Sequence, residues 1–118
     1  MVFRVKPTAF AARQIRKESQ WWRRNRTKAP NLFREELRRA FALIAEYPEA
    51  GAVAEDVALT GVRRVVLVDT QHYLYYRINR AAKRIEVLAV WSTKFGEPPA
   101  ITSCIESMSF EGAVFFKR

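Results

Sequence analysis

The spacing of apolar residues changes twice along the chain. Residues 2–6, Val-Phe-Arg-Val-Lys, alternate apolar and polar, which predicts a short strand ended by Pro7. Thr8 is placed to cap a helix that runs to about Thr27. At about 100° per residue, Ala11, Ala12, Ile15, Ser19 and Trp22 share one face of this helix. Arg13, Lys17 and Arg24 gather on the opposite side, with Arg16 and Arg23 on one margin and Phe10 and Trp21 on the other. The helix therefore has a thin apolar seam and a broad cationic back.

Ala29-Pro30-Asn31 interrupts the pattern, because proline disfavours helical geometry in the residue before it and asparagine caps well. A second helix is expected from about Leu32 to Tyr47, with a seam of Phe33, Leu37, Ala40, Ile44 and Tyr47 suited to packing against the first. Pro48 and Gly51 end it, and the short connection makes the pair a helical hairpin.

From Gly61 the period becomes two. Val62–Val68, His72–Ile78 and Arg84–Trp91 are rich in Val, Ile, Leu and Tyr, and Asp69-Thr70-Gln71 and Asn79–Lys83 serve as turns. Such short links imply an antiparallel meander. The last run is apolar on both faces except for Glu86, so it belongs inside the sheet. The expected architecture is α+β, ordered β-α-α-β-β-β, with the helical hairpin packed on an antiparallel sheet. Residues 1–99 form this domain. Residues 100–118 are a C-terminal extension of it, with room for a short helix and a strand at Ala113–Phe116.

A length of 118 residues, 49% of them apolar, fits one globular domain. No apolar run approaches the roughly 20 residues of a membrane span, and no signal peptide begins the chain. A single cysteine, Cys104, and a single histidine, His72, exclude an internal disulfide and a cysteine-based zinc site, and a reducing cytoplasm suits them. Neither a cofactor nor a metal is expected. The charge is more telling: 21 Lys and Arg face 12 Asp and Glu, a net of +9. Residues 1–30 hold nine of the cations and one acid, Glu18, so an anionic partner should meet this segment.

Four strings recur in this order in a known group of proteins: Tyr47-Pro48-Glu49-Ala50-Gly51, Leu59-Thr60-Gly61-Val62-Arg63-Arg64, Tyr73-Leu74-Tyr75-Tyr76-Arg77 and Ile85-Glu86-Val87-Leu88-Ala89-Val90-Trp91. With this element order they resemble the RelE/ParE superfamily, the toxic halves of bacterial type II toxin–antitoxin modules associated with plasmid stabilisation and growth inhibition. The resemblance runs from about Val2 to Pro99. It implies a cognate antitoxin whose disordered segment folds over the toxin. One branch of the superfamily cleaves messenger RNA on the ribosome with cationic side chains that stabilise phosphate charge. The ParE-like branch poisons DNA gyrase by binding. Against the cleaving type, Arg64 fits a basic position of the second strand, whereas its alternate neighbour is Val66. Tyr73 replaces a third-strand arginine, and the basic position after the fourth strand falls at Thr93, one residue before Lys94. Where many relatives carry a histidine after the tryptophan, this chain has Ser92. The match is therefore closer to a ParE-like binding toxin. The alternative is a ribosome-dependent endoribonuclease using Arg63, Arg64, Tyr73, Arg77 and Lys94. A third reading is a nucleic-acid-binding module built on the basic helix. No small-molecule substrate is implied.

The binding candidates are Arg13, Arg16, Lys17, Arg23 and Arg24, with Trp21 beside them as an anchor. Their bland counterpart is a solvated helix face, but such faces usually intersperse glutamate at i+4. Trp21 could equally pack under the sheet edge or tail. Alternation puts Tyr73, Tyr75 and Arg77 on one sheet face and His72, Leu74, Tyr76 and Ile78 on the other. If the second set meets the helices, the first forms with Arg63 or Arg64 a polar aromatic surface, with Tyr75 a partner-binding candidate; ordinary cross-strand packing is the competing reading. Neither Ser92 nor Cys104 has the histidine and acid neighbours of an activated nucleophile. His72 lacks a catalytic or metal partner in the sequence, and Glu55-Asp56 reads as a solvated loop.

Overall fold

The computed structural model describes residues 2–94 and Ile101. Strand β1 (Arg4–Pro7) leads into helix α1 (Ala9–Asn25), which is followed by helix α2 (Leu32–Glu46) and a single 3₁₀ turn at Pro48–Ala50. Four strands complete the described chain: β2 (Ala52–Val53), β3 (Val62–Leu67), β4 (His72–Asn79) and β5 (Arg84–Ser92). Among the described residues, no helix is long and apolar enough to cross a membrane. Of the extension expected over residues 100–118, only Ile101 is among the described residues; Cys104 and the strand expected at Ala113–Phe116 lie outside them.

The architecture is α+β, as the periodicity implied, but the sheet is mixed. Its order is β1-β5-β4-β3-β2. β3, β4 and β5 form the expected antiparallel meander, with β5 inside the sheet. β1 joins β5 in parallel, Val5 opposite Ile85, and the two-residue β2 pairs antiparallel with Arg63 and Arg64. A parallel neighbour follows from the connection: α1, α2 and three strands separate β1 from β5, so no hairpin dictates direction.

Helix α1 starts where the sequence placed it. The Thr8 hydroxyl accepts from the Ala11 amide at 3.2 Å, and the Thr8 amide donates to the Val87 carbonyl at 3.0 Å, so the cap also ties the helix to β5. Its core-facing residues include Ala11 and Ser19, both buried, with Ile15 and Trp22 partly buried. On α2, Phe33, Leu37, Ala40 and Ile44 are buried as the seam predicted. Tyr47 is not, with 59% of its surface exposed. It is the residue at which the helix ends (φ −127°, ψ 82°), so the helical rotation no longer carries it inward.

Two cores flank the sheet. The helix side joins α1 and α2 to Leu67, Leu74, Tyr76, Ile85, Val87 and Val90. The other side is not open: Ala54, with Val57 and Leu59 from the link between β2 and β3, packs with Val62, Tyr75, Leu88, Ala89, Trp91 and Ile101. A bulge between β4 and β5 allocates these residues. Tyr75 faces Ala89 while Tyr76 faces Val87, leaving Leu88 as the extra residue. Strict alternation would send Ala89 and Trp91 toward the helices with Val87; instead Val90 goes there and Trp91 goes to the far core. Beyond the end of β1, the Val90 amide donates to the Gln14 side chain at 2.9 Å, so α1 covers the exposed edge of β5.

Candidate functional site

Three of the four cations proposed for catalysis, Arg63, Arg64 and Arg77, sit on β3 and β4, and each is held by this chain. Arg63 donates to the Gly51 carbonyl at 2.6 Å, bracing the turn into β2. Arg64 lies 2.9 Å from the Asp56 carboxylate, and its guanidinium covers the Tyr73 ring at 4.2 Å from the centroid. Arg77 lies 3.7 Å from Glu86, whose other carboxylate oxygen is 3.0 Å from Arg84. Glu86 is almost fully buried, so these cations neutralise a carboxylate that the sheet has taken out of water. Lys94 is exposed just past β5, and its amide donates to the Ser92 hydroxyl at 3.1 Å.

Tyr75 corrects a sequence expectation. It is fully buried rather than part of an open aromatic face, because the 54–59 segment and Ile101 cover that side of the sheet. Its hydroxyl donates to Asp56 at 2.8 Å, and burial pushes its pKa well above the ordinary phenol value. Arg64 is pushed the same way, chiefly by its contact with Tyr75. Asp56 is thus no idle loop residue: it receives both Arg64 and Tyr75. Tyr73 remains half-buried, edge-on to Tyr75 with ring centroids 6.2 Å apart.

The binding candidates on α1 fare differently. Arg16, Lys17, Arg23 and Arg24 are exposed, and none has a carboxylate partner among the described residues. Arg13 is half-buried, 5.9 Å from the centroid of the Phe10 ring. Trp21 is 40% exposed, edge-on to Trp22, and Arg26 lies 5.1 Å from the centroid of its ring. Basic residues also occupy the last turn of the helix, where they complement its dipole.

Sequence reasoning missed a chain of polar contacts beneath this helix. Glu36, buried on α2, accepts from the Asp69 amide at 2.7 Å, the Thr70 amide at 3.0 Å and the Thr70 hydroxyl at 2.7 Å. With its proton given to Glu36, the Thr70 oxygen accepts from His72 Nδ1 at 3.2 Å. His72 Nε2 lies 3.2 Å from Glu18, near enough to pair but not aligned as a hydrogen bond. The lone histidine therefore stands beside an acid, contributed by α1. An acidic residue flanked by Phe33 and Leu37 on an apolar seam was the one available signal. Among the described residues, no three His, Cys, Asp or Glu side chains converge to hold a metal.

A two-helix hairpin on this mixed sheet, with a cationic outer helix, defines a small basic α+β protein of the RelE/ParE type. The family described as "ParE toxin of type II toxin-antitoxin system, parDE" matches residues 5–95. The chain belongs to this ParE toxin family, and membership makes it the toxin of a type II module with a cognate antitoxin as partner. No individual curated protein gives a significant match.

Proposed function

We propose that this toxin acts by stoichiometric binding to a macromolecular target, docking through Arg16, Lys17, Arg23 and Arg24 of α1, with DNA gyrase as the target. One observation carries the reading: of the four cations named for cleavage, Arg63, Arg64 and Arg77 are engaged within the fold and Lys94 alone is exposed, while Arg16, Lys17, Arg23 and Arg24 of α1 face solvent. A cation that stabilises a cleaving phosphate must meet it directly and without a competing carboxylate. Arg64 has Asp56 on one side and Tyr73 beneath it. Rim cations, by contrast, steer and orient a partner without desolvation.

The test pairs two assays. Purified toxin should inhibit gyrase supercoiling in proportion to its amount, and inhibition should weaken when Arg16, Lys17, Arg23 and Arg24 are replaced by Gln. Transcripts mapped after induction should stay intact. Specific messenger cleavage that disappears in Arg64→Gln would establish the ribonuclease alternative instead.

A further inference from the structure

The C-terminal half of α1 overhangs the end of the sheet, where β3 turns into β4 and β5 finishes. Between them lies a cleft of about 260 Å³. Trp21 and Trp22 form its wall, Thr70, His72 and Ser92 its floor, and Arg26 and Lys94 its rim. We propose that this cleft is a nucleotide subsite for single-stranded nucleic acid, with a base stacked on Trp21 and the adjoining phosphates held by Arg26 and Lys94. The inference does not depend on the target proposed above, and its failure would leave that reading standing.

Three features favour a nucleotide over other anions. First, Trp21 offers a flat aromatic surface beside cations, the combination by which single strands are held without sequence readout. Arg26 lies 5.1 and 5.7 Å from the two indole centroids, fixing the pair, and Trp21 still keeps 40% of its surface open. Second, the floor is polar. Ser92 accepts the Lys94 amide at 3.1 Å and has its hydroxyl proton left to donate to a base edge. An apolar side chain of a peptide would instead want an apolar floor. Third, the cleft is lined by a single carboxylate, Glu18, which lies 3.2 Å from His72 Nε2, and neither Arg26 nor Lys94 is ion-paired to a carboxylate among the described residues. Exposed Arg23, Arg24 and Lys28 continue the positive surface, giving a strand a path out of the cleft. The volume is smaller than the roughly 300 Å³ at which drug-sized pockets begin, which suits one planar ring system.

Short oligomers of deoxythymidylate and of uridylate, titrated into the purified full chain at low salt, should quench tryptophan fluorescence. Affinity should fall with salt at a slope of about −0.7 per phosphate contacted. Trp21→Ala should weaken binding about tenfold and Trp21→Phe should restore most of it. Arg26→Ala and Lys94→Ala should each lower the salt slope by about one contact, while Arg34→Ala, an exposed site on α2, should change nothing. Circular dichroism identifies any variant that fails to fold, and Trp21→Phe keeps the test decisive if Trp21→Ala does. The proposal is overturned if oligomers do not bind. It is equally overturned if Trp21→Ala binds them as the parent does while heparin competes fully, or if an acidic leucine-containing peptide occupies the cleft more tightly than either oligomer.

Discussion

The Arg64 guanidinium is bound to the Asp56 carboxylate at 2.9 Å while its flat face rests on the Tyr73 ring. Arg64 therefore serves the fold first. Replacing it with Gln should cost about 0.5–3 kcal/mol of stability, the usual range for a lost contact, and leave growth arrest on induction within about twofold of the parent while the protein stays folded. Colony counts after induction measure this. Loss of toxicity from a well-folded Arg64→Gln protein would return Arg64 to the catalytic list.

Glu36 closes the β3–β4 turn with three hydrogen bonds from a buried position. Glu36→Ala strands two amides and a hydroxyl, and should destabilise the protein by about 2–4 kcal/mol in urea unfolding. It should also loosen the turn beneath His72, seen as faster amide exchange at Asp69 and Thr70.

Gly51 has ordinary dihedrals (φ −80°), so its need for glycine is spatial. A Cβ there would lie 2.8 Å from the Tyr76 hydroxyl and 2.9 Å from the Arg64 carbonyl, and the backbone atom cannot step aside. Gly51→Ala should therefore cost about 1–3 kcal/mol, the usual range for overpacking. An unchanged urea midpoint would refute this account of the position.

Burial raises the pKa of Tyr75 and of Tyr76 above the ordinary phenol value of 10.0. In the unfolded chain both ionise near that value, while in the fold they stay neutral. Their contribution is thus complete below about pH 10 and is lost as pH rises toward the folded values. Stability measured by urea unfolding should fall in alkali, and Tyr75→Phe should flatten that fall. A Tyr75→Phe protein with the parent's alkaline profile would count against it.

Periodicity carried the helices, the meander and the interior place of β5, because each is set by neighbours within a few residues. It could not carry the parallel pairing of β1, which depends on the path of the whole chain, nor β2, whose two residues are too short for a period. The bulge at Leu88 was also hidden, since a run apolar on both faces gives no phase to break. The basic helix was legible from composition alone. The Glu18–His72 pair and the Asp56 hub were not, as they unite residues with no shared spacing. Tyr75 was misplaced because alternation tells which residues share a face and not what covers it.

Among the described residues β1 pairs with β5 alone, and β5 is their last strand. On the ribosome, then, the cationic helix emerges long before the strand that anchors its N-terminal end has been translated. Contacts of such wide sequence separation close late in folding. Synthesis thus builds in a delay: the cationic helix can be seated on its scaffold only after nearly the whole domain has been made, an interval in which an antitoxin already present can reach the nascent chain.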